Sequence, residues 1–252
     1  MLFETIYGKE VEQVYAFLVD KGEKYPVEEL YNAFIPKNEE GRLLNTQNLE
    51  RALSFLRSAR LIEGKSVLST LHLNYDDFKL SLLESIRSIE LGIIRPENKS
   101  DSYFLHLITK LYVEENRRYL SNENLHKLAN DLESDVSINR TVLANWKAFM
   151  EYLGLGFRDN QGGFYCDVND KLFIDIISKW DRLEGTIQSF LEDHYNKFLP
   201  WKDVQGNLSE IVQEAMLSLV SKYKIRLEPK QDLAAVAYFP QKYKWMVSLL
   251  WV

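Results

Sequence analysis

The chain has few of the features on which disulfides, secretion and membrane insertion depend. Cys166 is its only cysteine, so no internal disulfide can form, which fits a reducing compartment. The N-terminal residues lack the basic start and apolar run of a signal peptide, and no stretch of about 20 uncharged apolar residues occurs anywhere. We therefore expect a cytoplasmic protein that makes no contact with a membrane.

An excess of positive charge is also absent. The chain has 31 Lys and Arg against 37 Asp and Glu, which gives a net charge of −6. A protein that coats nucleic acid with its whole surface needs the opposite balance, so this class is excluded. A local basic face remains open.

The usual signatures of catalysis are missing as well. The four histidines are far apart and show no metal-ligand spacing, and no glycine-rich phosphate loop or GxSxG motif is present. Cys166 has no basic neighbour and is expected to be a buried strand residue. We expect no enzyme activity, no cofactor, no metal and no small-molecule ligand.

What the chain does contain is enough apolar surface to fold, with 46% apolar and 13% aromatic residues. Three times, predicted helices precede a predicted strand hairpin, near 61–73, 155–168 and 223–239. The clearest case is Ser121 to Val168, where Ser121 is the expected N-cap of one helix and Gly154 the stop of the next. The fold class predicted is mainly α with small β-hairpins (α+β).

The same pattern divides the chain into four segments. Residues 1–73 form a first unit, 74–100 a connecting helix and linker, 101–180 a second unit and 181–252 a third. In the third unit, strands are predicted at Tyr223 to Leu227 and Ala234 to Phe239. The apolar run Lys244 to Val252 is predicted to be a buried strand or a docking surface, because so much apolar area in water would be costly.

Three stretches of the second unit, HKLANDLE, TVLANWKAFMEYLGL and FRDNQGGFYCDV, together resemble the winged-helix superfamily, a helix-turn-helix variant. The resemblance is strongest over 103–168, extends to 11–73 and is weakest after 185. It implies tandem winged-helix-like units joined by a connecting helix. The pattern occurs in both DNA-binding and protein-binding members of the superfamily.

In a winged helix the second helix of the motif can enter the major groove, and its first residues face the base edges. In the second unit these candidates are Asn139, Arg140, Thr141 and Asn145, with Lys147 placed for a phosphate. A solvated polar face is the alternative.

The other two units offer phosphate contacts. In the first unit Arg51 and Arg57 are candidates, and Arg57 is predicted to share a helix face with Arg60. The alternative is a solvated face or pairing with Glu50 and Glu63. In the third unit, the segment from Lys222 to Lys244 contains six basic and two acidic residues, so its net charge is +4. The candidates there are Lys222, Lys224, Arg226 and Lys230, although basic strands also protect sheet edges.

The function predicted is a non-catalytic winged-helix subunit or adaptor of a prokaryotic DNA-associated protein complex. Tandem winged-helix proteins of this kind resemble accessory subunits of chromosome-organising ATPase complexes and components of phage-defence systems. The expected partner is another protein, either a complex subunit or a second copy, with double-stranded DNA as a further partner. The alternative is a sequence-specific DNA-binding transcription regulator.

Overall fold

The computed structural model of the chain describes residues 7–22, 24–71, 77–95, 103–114, 119–132, 137–182, 184–222, 224–229 and 247–251. Over these residues the protein is mainly helical and carries three small antiparallel sheets of three strands each. The predicted α+β class is therefore confirmed.

The first unit consists of three helices and one sheet. Its elements are α1 (Gly8–Lys21), β1 (Tyr25–Pro26), α2 (Val27–Phe34), α3 (Gln47–Ser58), β2 (Ile62–Glu63) and β3 (Val67–Thr70). The strand order is β1-β3-β2, so the last strand lies in the middle. Gly64 closes the β2–β3 turn with φ +94°, and a Cβ there would lie 2.0 Å from the carbonyl oxygen of Val67, so only glycine fits.

Helix α4 (Phe78–Glu90) follows at the position of the predicted connecting helix. Asp77 caps it, because its Oδ1 accepts hydrogen bonds from the backbone N–H groups of Lys79 and Leu80 at 2.8 and 3.1 Å. Nine of its thirteen residues are buried, so α4 has almost no solvent face. Such a helix belongs in the interior of the molecule.

The second unit repeats the same order of elements. It contains α5 (Tyr103–Thr109), which continues as a π-helical turn (Lys110–Glu114), then β4 (Tyr119–Leu120), α6 (Asn122–Asp131), α7 (Arg140–Leu153), β5 (Gly156–Arg158) and β6 (Phe164–Cys166). Ser121 is the N-cap of α6 and Gly154 ends α7 in a left-handed conformation, both as predicted. The strand order is β4-β6-β5.

The third unit has this order once more. Its elements are α8 (Asp170–Ser178), β7 (Glu184–Thr186), α9 (Ile187–Ser189) with its π-helical and 3₁₀ continuation (Phe190–His194 and Tyr195–Lys197), α10 (Glu210–Ser221), β8 (Ile225–Pro229) and β9 (Val247–Trp251). The strand order is β7-β9-β8. Helix α8 falls within the range 101–180 of the predicted second unit, but it packs on the third. Its Phe173 ring lies 5.4 Å from the ring of Tyr195.

The strand partner of β8 comes from the apolar tail. Of the two possibilities predicted for Lys244 to Val252, the structure forms the strand, and β9 pairs with both β7 and β8. The strand predicted at Ala234 to Phe239 lies outside the described residues.

Helix α4 contacts all three units. Its Phe78 ring lies 5.5 Å from Tyr15 of α1, and Ser85 Oγ donates to the carbonyl oxygen of Ala59 at 2.6 Å. At its other end, Arg87 forms an ion pair with Glu90. This pair joins α4 to the third unit through Asn196 and to the second unit through Thr109.

The polar network around Arg87 is almost enclosed. The guanidinium donates to both oxygens of Asn196, from Nε at 3.1 Å to the backbone carbonyl and from Nη2 at 2.6 Å to Oδ1. Thr109 Oγ1 donates to Glu90 Oε1 at 2.9 Å. Arg87 and Glu90 therefore hold α4 against α5 and against the 3₁₀ turn that follows α9.

The same type of turn occurs in three loops. In each, the side-chain Oδ1 of the first residue accepts the backbone N–H groups two and four residues later, at 2.7–3.1 Å. A glycine three residues after it has φ of +77° to +83°. The first residues are Asn38, Asp159 and Asp203. The loops at Asn38 and Asp203 both lie between the second and third helices of their units, while the loop at Asp159 joins β5 to β6.

Candidate nucleic-acid and protein interfaces

The first turn of α7 brings three of the predicted DNA contacts together at the surface. Asn139, Arg140 and Thr141 are all exposed. The Asn139 side chain is the N-cap of α7, since its Oδ1 accepts the N–H of Val142 at 2.9 Å. Asn145, one turn further on, is half-buried.

Lys147 does not lie where a phosphate could reach it. Its side chain is turned inward, and the residue is only 4% exposed. Its Nζ donates to Asn122 Oδ1 at 2.9 Å and to the carbonyl oxygen of Gly162 at 2.6 Å. Burial lowers the pKa of the ammonium group. The predicted phosphate ligand is thus a group that ties α7 to α6 and to the β5–β6 loop.

Beyond its first turn, the outer face of α7 carries no positive charge. The positions that reach solvent between Thr141 and Glu151 are Ala144, Asn145 and Ala148. Its inner face packs on α3 of the first unit, where the rings of Phe55 and Phe149 lie 5.0 Å apart and both residues are at most 2% exposed.

The arginines predicted to contact phosphates in the first unit lie only partly at the expected positions. Arg51 is half-buried on α3. Arg57 Nε donates to the carbonyl oxygen of Gly64 at 2.9 Å, so the side chain lies along the β2–β3 turn. Arg60 comes after the end of α3 and has φ +58°, so the expected helix face shared by Arg57 and Arg60 does not form. This prediction was wrong because α3 ends at Ser58.

The basic residues of the third unit fall into two groups. Lys222 forms an ion pair with Asp170 of α8, while Lys224 and Arg226 are exposed beside and on β8. Lys230, the fourth candidate, lies outside the described residues. Three of the four predicted contacts are therefore exposed, and one of these, Lys222, is ion-paired.

A row of three exposed aromatic rings, which was not predicted from the sequence, lies on the sheet of the second unit. Tyr119, Tyr165 and Phe157 lie side by side on β4, β6 and β5, and they are 40%, 38% and 50% exposed. The Tyr165 ring centroid lies 4.6 Å from that of Tyr119 and 4.9 Å from that of Phe157. We call these three residues the aromatic row.

The opposite face of this sheet belongs to the core, which explains why the row faces solvent. Leu120, Phe164 and Cys166 alternate with the row along their strands and are at most 3% exposed. Burial raises the pKa of the Cys166 thiol to about 12, so this cysteine is a core residue and no nucleophile. The alternation Phe164-Tyr165-Cys166 was the one signal in the sequence that pointed to the row.

The charged groups beside the row already have hydrogen-bond or ion-pair partners within the unit. Arg158 donates to Glu151 through Nε at 2.8 Å and forms an ion pair with it through Nη2 at 2.6 Å. Asp159 accepts hydrogen bonds from the Tyr119 hydroxyl at 2.8 Å and from the backbone N–H of Gly163 at 2.7 Å. These bonds lower the pKa of the Asp159 carboxyl, with the Tyr119 bond the largest cause.

A polar cleft of about 550 Å³ lies between α4, α5 and α6 and includes Glu90 and His106. Within the described ranges, no three His, Cys, Asp or Glu side chains are grouped so that they could hold a metal ion. In the same part of the chain, no helix is both long enough and apolar enough to cross a membrane.

The surfaces with defined chemistry are thus the first turn of α7, the exposed Lys224 and Arg226 at β8, and the aromatic row. The chain matches no family model, no curated protein and no solved structure.

Proposed function

We propose that the chain is a non-catalytic protein of three winged-helix units that acts as a subunit or adaptor in a prokaryotic DNA-associated complex. The repeated order of elements supports the tandem arrangement. In each unit a helix and a strand are followed by two helical segments and two strands, and the last strand lies between the other two. The shared turn at Asn38 and Asp203 adds a likeness between the first and third units.

One observation favours the adaptor over a free-standing DNA reader, namely the setting of α7. If the second unit read DNA as a winged helix, α7 would have to lie in the major groove of the duplex. The inner face of α7 packs on α3, and Lys147 is enclosed. Beyond Thr141, only three uncharged residues before Glu151 reach solvent. Phosphate contacts supply nearly all of non-specific DNA affinity and a large share of specific affinity, so a face without cations binds DNA weakly.

Protein contact is a suitable use for the remaining surface. The three units are joined through α4 into one body, and the net charge is −6. In such a body the exposed Lys224 and Arg226 can hold DNA weakly while a partner supplies the main contacts. The role proposed is therefore to connect a partner to DNA.

Selection from a randomised duplex pool tests this role. The full chain is incubated with the pool at low salt, and bound duplexes are sequenced over several rounds. We expect no enriched sequence and weak binding that is lost between 50 and about 200 mM salt. Recovery of one duplex bound at about 10⁻⁸ M or tighter at physiological salt would overturn the adaptor role.

The regulator stays as a second candidate because Asn139, Arg140 and Thr141 are exposed together. If a selected duplex emerges, Arg140→Glu should weaken its binding by about 1 to 3 kcal/mol. Lys127→Glu, an exposed position on α6, is the matched control for the change in charge.

A further inference from the structure

We infer that the aromatic row is the docking site of a short amphipathic helix from the partner protein, whose apolar stripe lies along the three rings. This inference rests on the proposed function, because an adaptor needs a face for its partner. It adds the location of that face and the kind of segment that it binds.

The length of the row suits such a helix. Its centroid spacings of 4.6 and 4.9 Å make a continuous apolar ridge across the sheet. That ridge, nearly 10 Å long, matches the roughly 10.5 Å over which a helix rises in seven residues. A stripe of residues at i, i+3, i+4 and i+7 can therefore touch all three rings.

Nucleic-acid bases do not suit the row. Base stacking needs an open ring face. The central ring, Tyr165, has a neighbour on each side, and Phe157 lies nearly parallel to it at 13°. The cation beside the row, Arg158, is held by Glu151. The central ring thus has no fully open face, and the nearby cation is already paired.

Addition of a strand at β5 is also disfavoured. The backbone N–H of Arg158, the last residue of β5, already donates to Glu151 Oε1 at 2.5 Å. A strand arriving at this edge would find that donor occupied. The β5 edge is therefore less suited to a partner than the face of the sheet.

The size of the row argues against a second copy as the occupant. Aromatic side chains that each span about 200 Å² leave roughly 250 Å² exposed at 38–50% exposure. A standard interface needs about 800 Å² from each partner. The row alone cannot hold a stable dimer, but it can anchor a short segment. Because Arg158 is ion-paired with Glu151 and Asp159 already accepts hydrogen bonds from Tyr119 and Gly163, the contacting stripe should be uncharged.

The test places a photo-crosslinking residue, p-benzoylphenylalanine, at Tyr165 in the full chain within its native cells. Mass spectrometry then identifies the crosslinked peptide. We expect a segment of another protein with apolar residues at i, i+3, i+4 and i+7. A crosslink to a second copy, to nucleic acid or to a segment without this pattern overturns the inference, as does the absence of any crosslink.

The affinity of the full chain for a synthetic peptide of the crosslinked segment is then measured for the original protein and for variants. Tyr165→Ser and Phe157→Ser should each weaken its binding to the full chain at least about tenfold, as the loss of a buried aromatic anchor does. Val67→Ser is the matched control. Val67 is 45% exposed and pairs with the first strand of its sheet as Tyr165 does. Its change should leave affinity within about twofold.

The two proposals fail in different ways. Equal peptide affinity in the Tyr165→Ser and Phe157→Ser variants, with unchanged circular dichroism, overturns the docking site alone. Tight binding of the isolated chain to one defined duplex overturns the adaptor role and leaves the docking site to be judged by the peptide.

Discussion

Replacing Arg87 by Met should destabilise the folded protein, because it removes one charge from a nearly enclosed network. The Arg87 and Glu90 side chains are only 11% and 15% exposed. The change also removes the two hydrogen bonds that the guanidinium donates to Asn196. Glu90 then keeps only the hydroxyl of Thr109 among these partners.

The expected loss is about 3 kcal/mol in the free energy of unfolding. Removing one partner of a buried ion pair costs about 3 to 5 kcal/mol, because the other charge is left uncompensated. The slight exposure of both side chains admits some water, which places the value at the lower end. Replacing both partners in the Arg87→Met/Glu90→Leu variant should recover at least half of the loss, since no unpaired charge remains.

Urea unfolding followed by tryptophan fluorescence and by circular dichroism measures these values. Lys171→Met is the matched control, because Lys171 pairs with Asp175 at 2.6 Å but is 74% exposed. Its change should cost less than about 0.5 kcal/mol. A loss below about 1 kcal/mol for Arg87→Met, or a double variant no more stable than the single one, would refute the reasoning.

Three further predictions concern positions at which burial decides the outcome. Gly8→Ala should lower the urea midpoint by the equivalent of about 1 to 3 kcal/mol, because its Cβ would lie 2.2 Å from the Tyr152 ring; an unchanged midpoint would contradict this. Since burial raises the Cys166 pKa from 9.0 to about 12, its thiol should react about 1000-fold more slowly with a thiol reagent in the native state than in urea, and equal rates would argue against it. Burial lowers the His194 pKa from 6.5, and the neutral ring donates from Nε2 to the carbonyl oxygen of Ile176 at 2.7 Å. The unfolded chain therefore binds more protons below about pH 6.5, so stability from this group is complete above that pH and falls below it. His194→Gln should flatten the fall in urea midpoint from pH 7.5 to 5.5, and a slope equal to that of the original chain would count against this account.

Features governed by neighbouring residues could be predicted from the sequence. Ser121 and Gly154 mark helix ends because a capping hydroxyl and a left-handed glycine act within one turn of the chain. The hairpin at 155–168 followed from its turn residues. The α+β class follows from such local signals and was correct.

Features set by distant partners could not be predicted. A lysine at position 147 is expected at the surface from the sequence. The groups that bind its ammonium, on Asn122 and Gly162, lie 25 and 15 residues away along the chain. The aromatic row depends on the register of a two-residue strand, β4, which is too short for a sequence pattern. The strand partner of β8 could not be inferred either, because residues 230–246 separate β8 from β9.

The central place of α4 also has a consequence for synthesis. Its Arg87 pairs with Asn196, which follows 109 residues later in the chain. Ribosomes add about 5 to 20 residues per second, so this side of α4 waits roughly 5 to 20 s for its partner to be made. During that interval the first unit and α5 can already pack on α4, but the side of this helix that faces Asn196 stays uncovered. The newly made chain should therefore be most in need of a chaperone before the third unit has been translated.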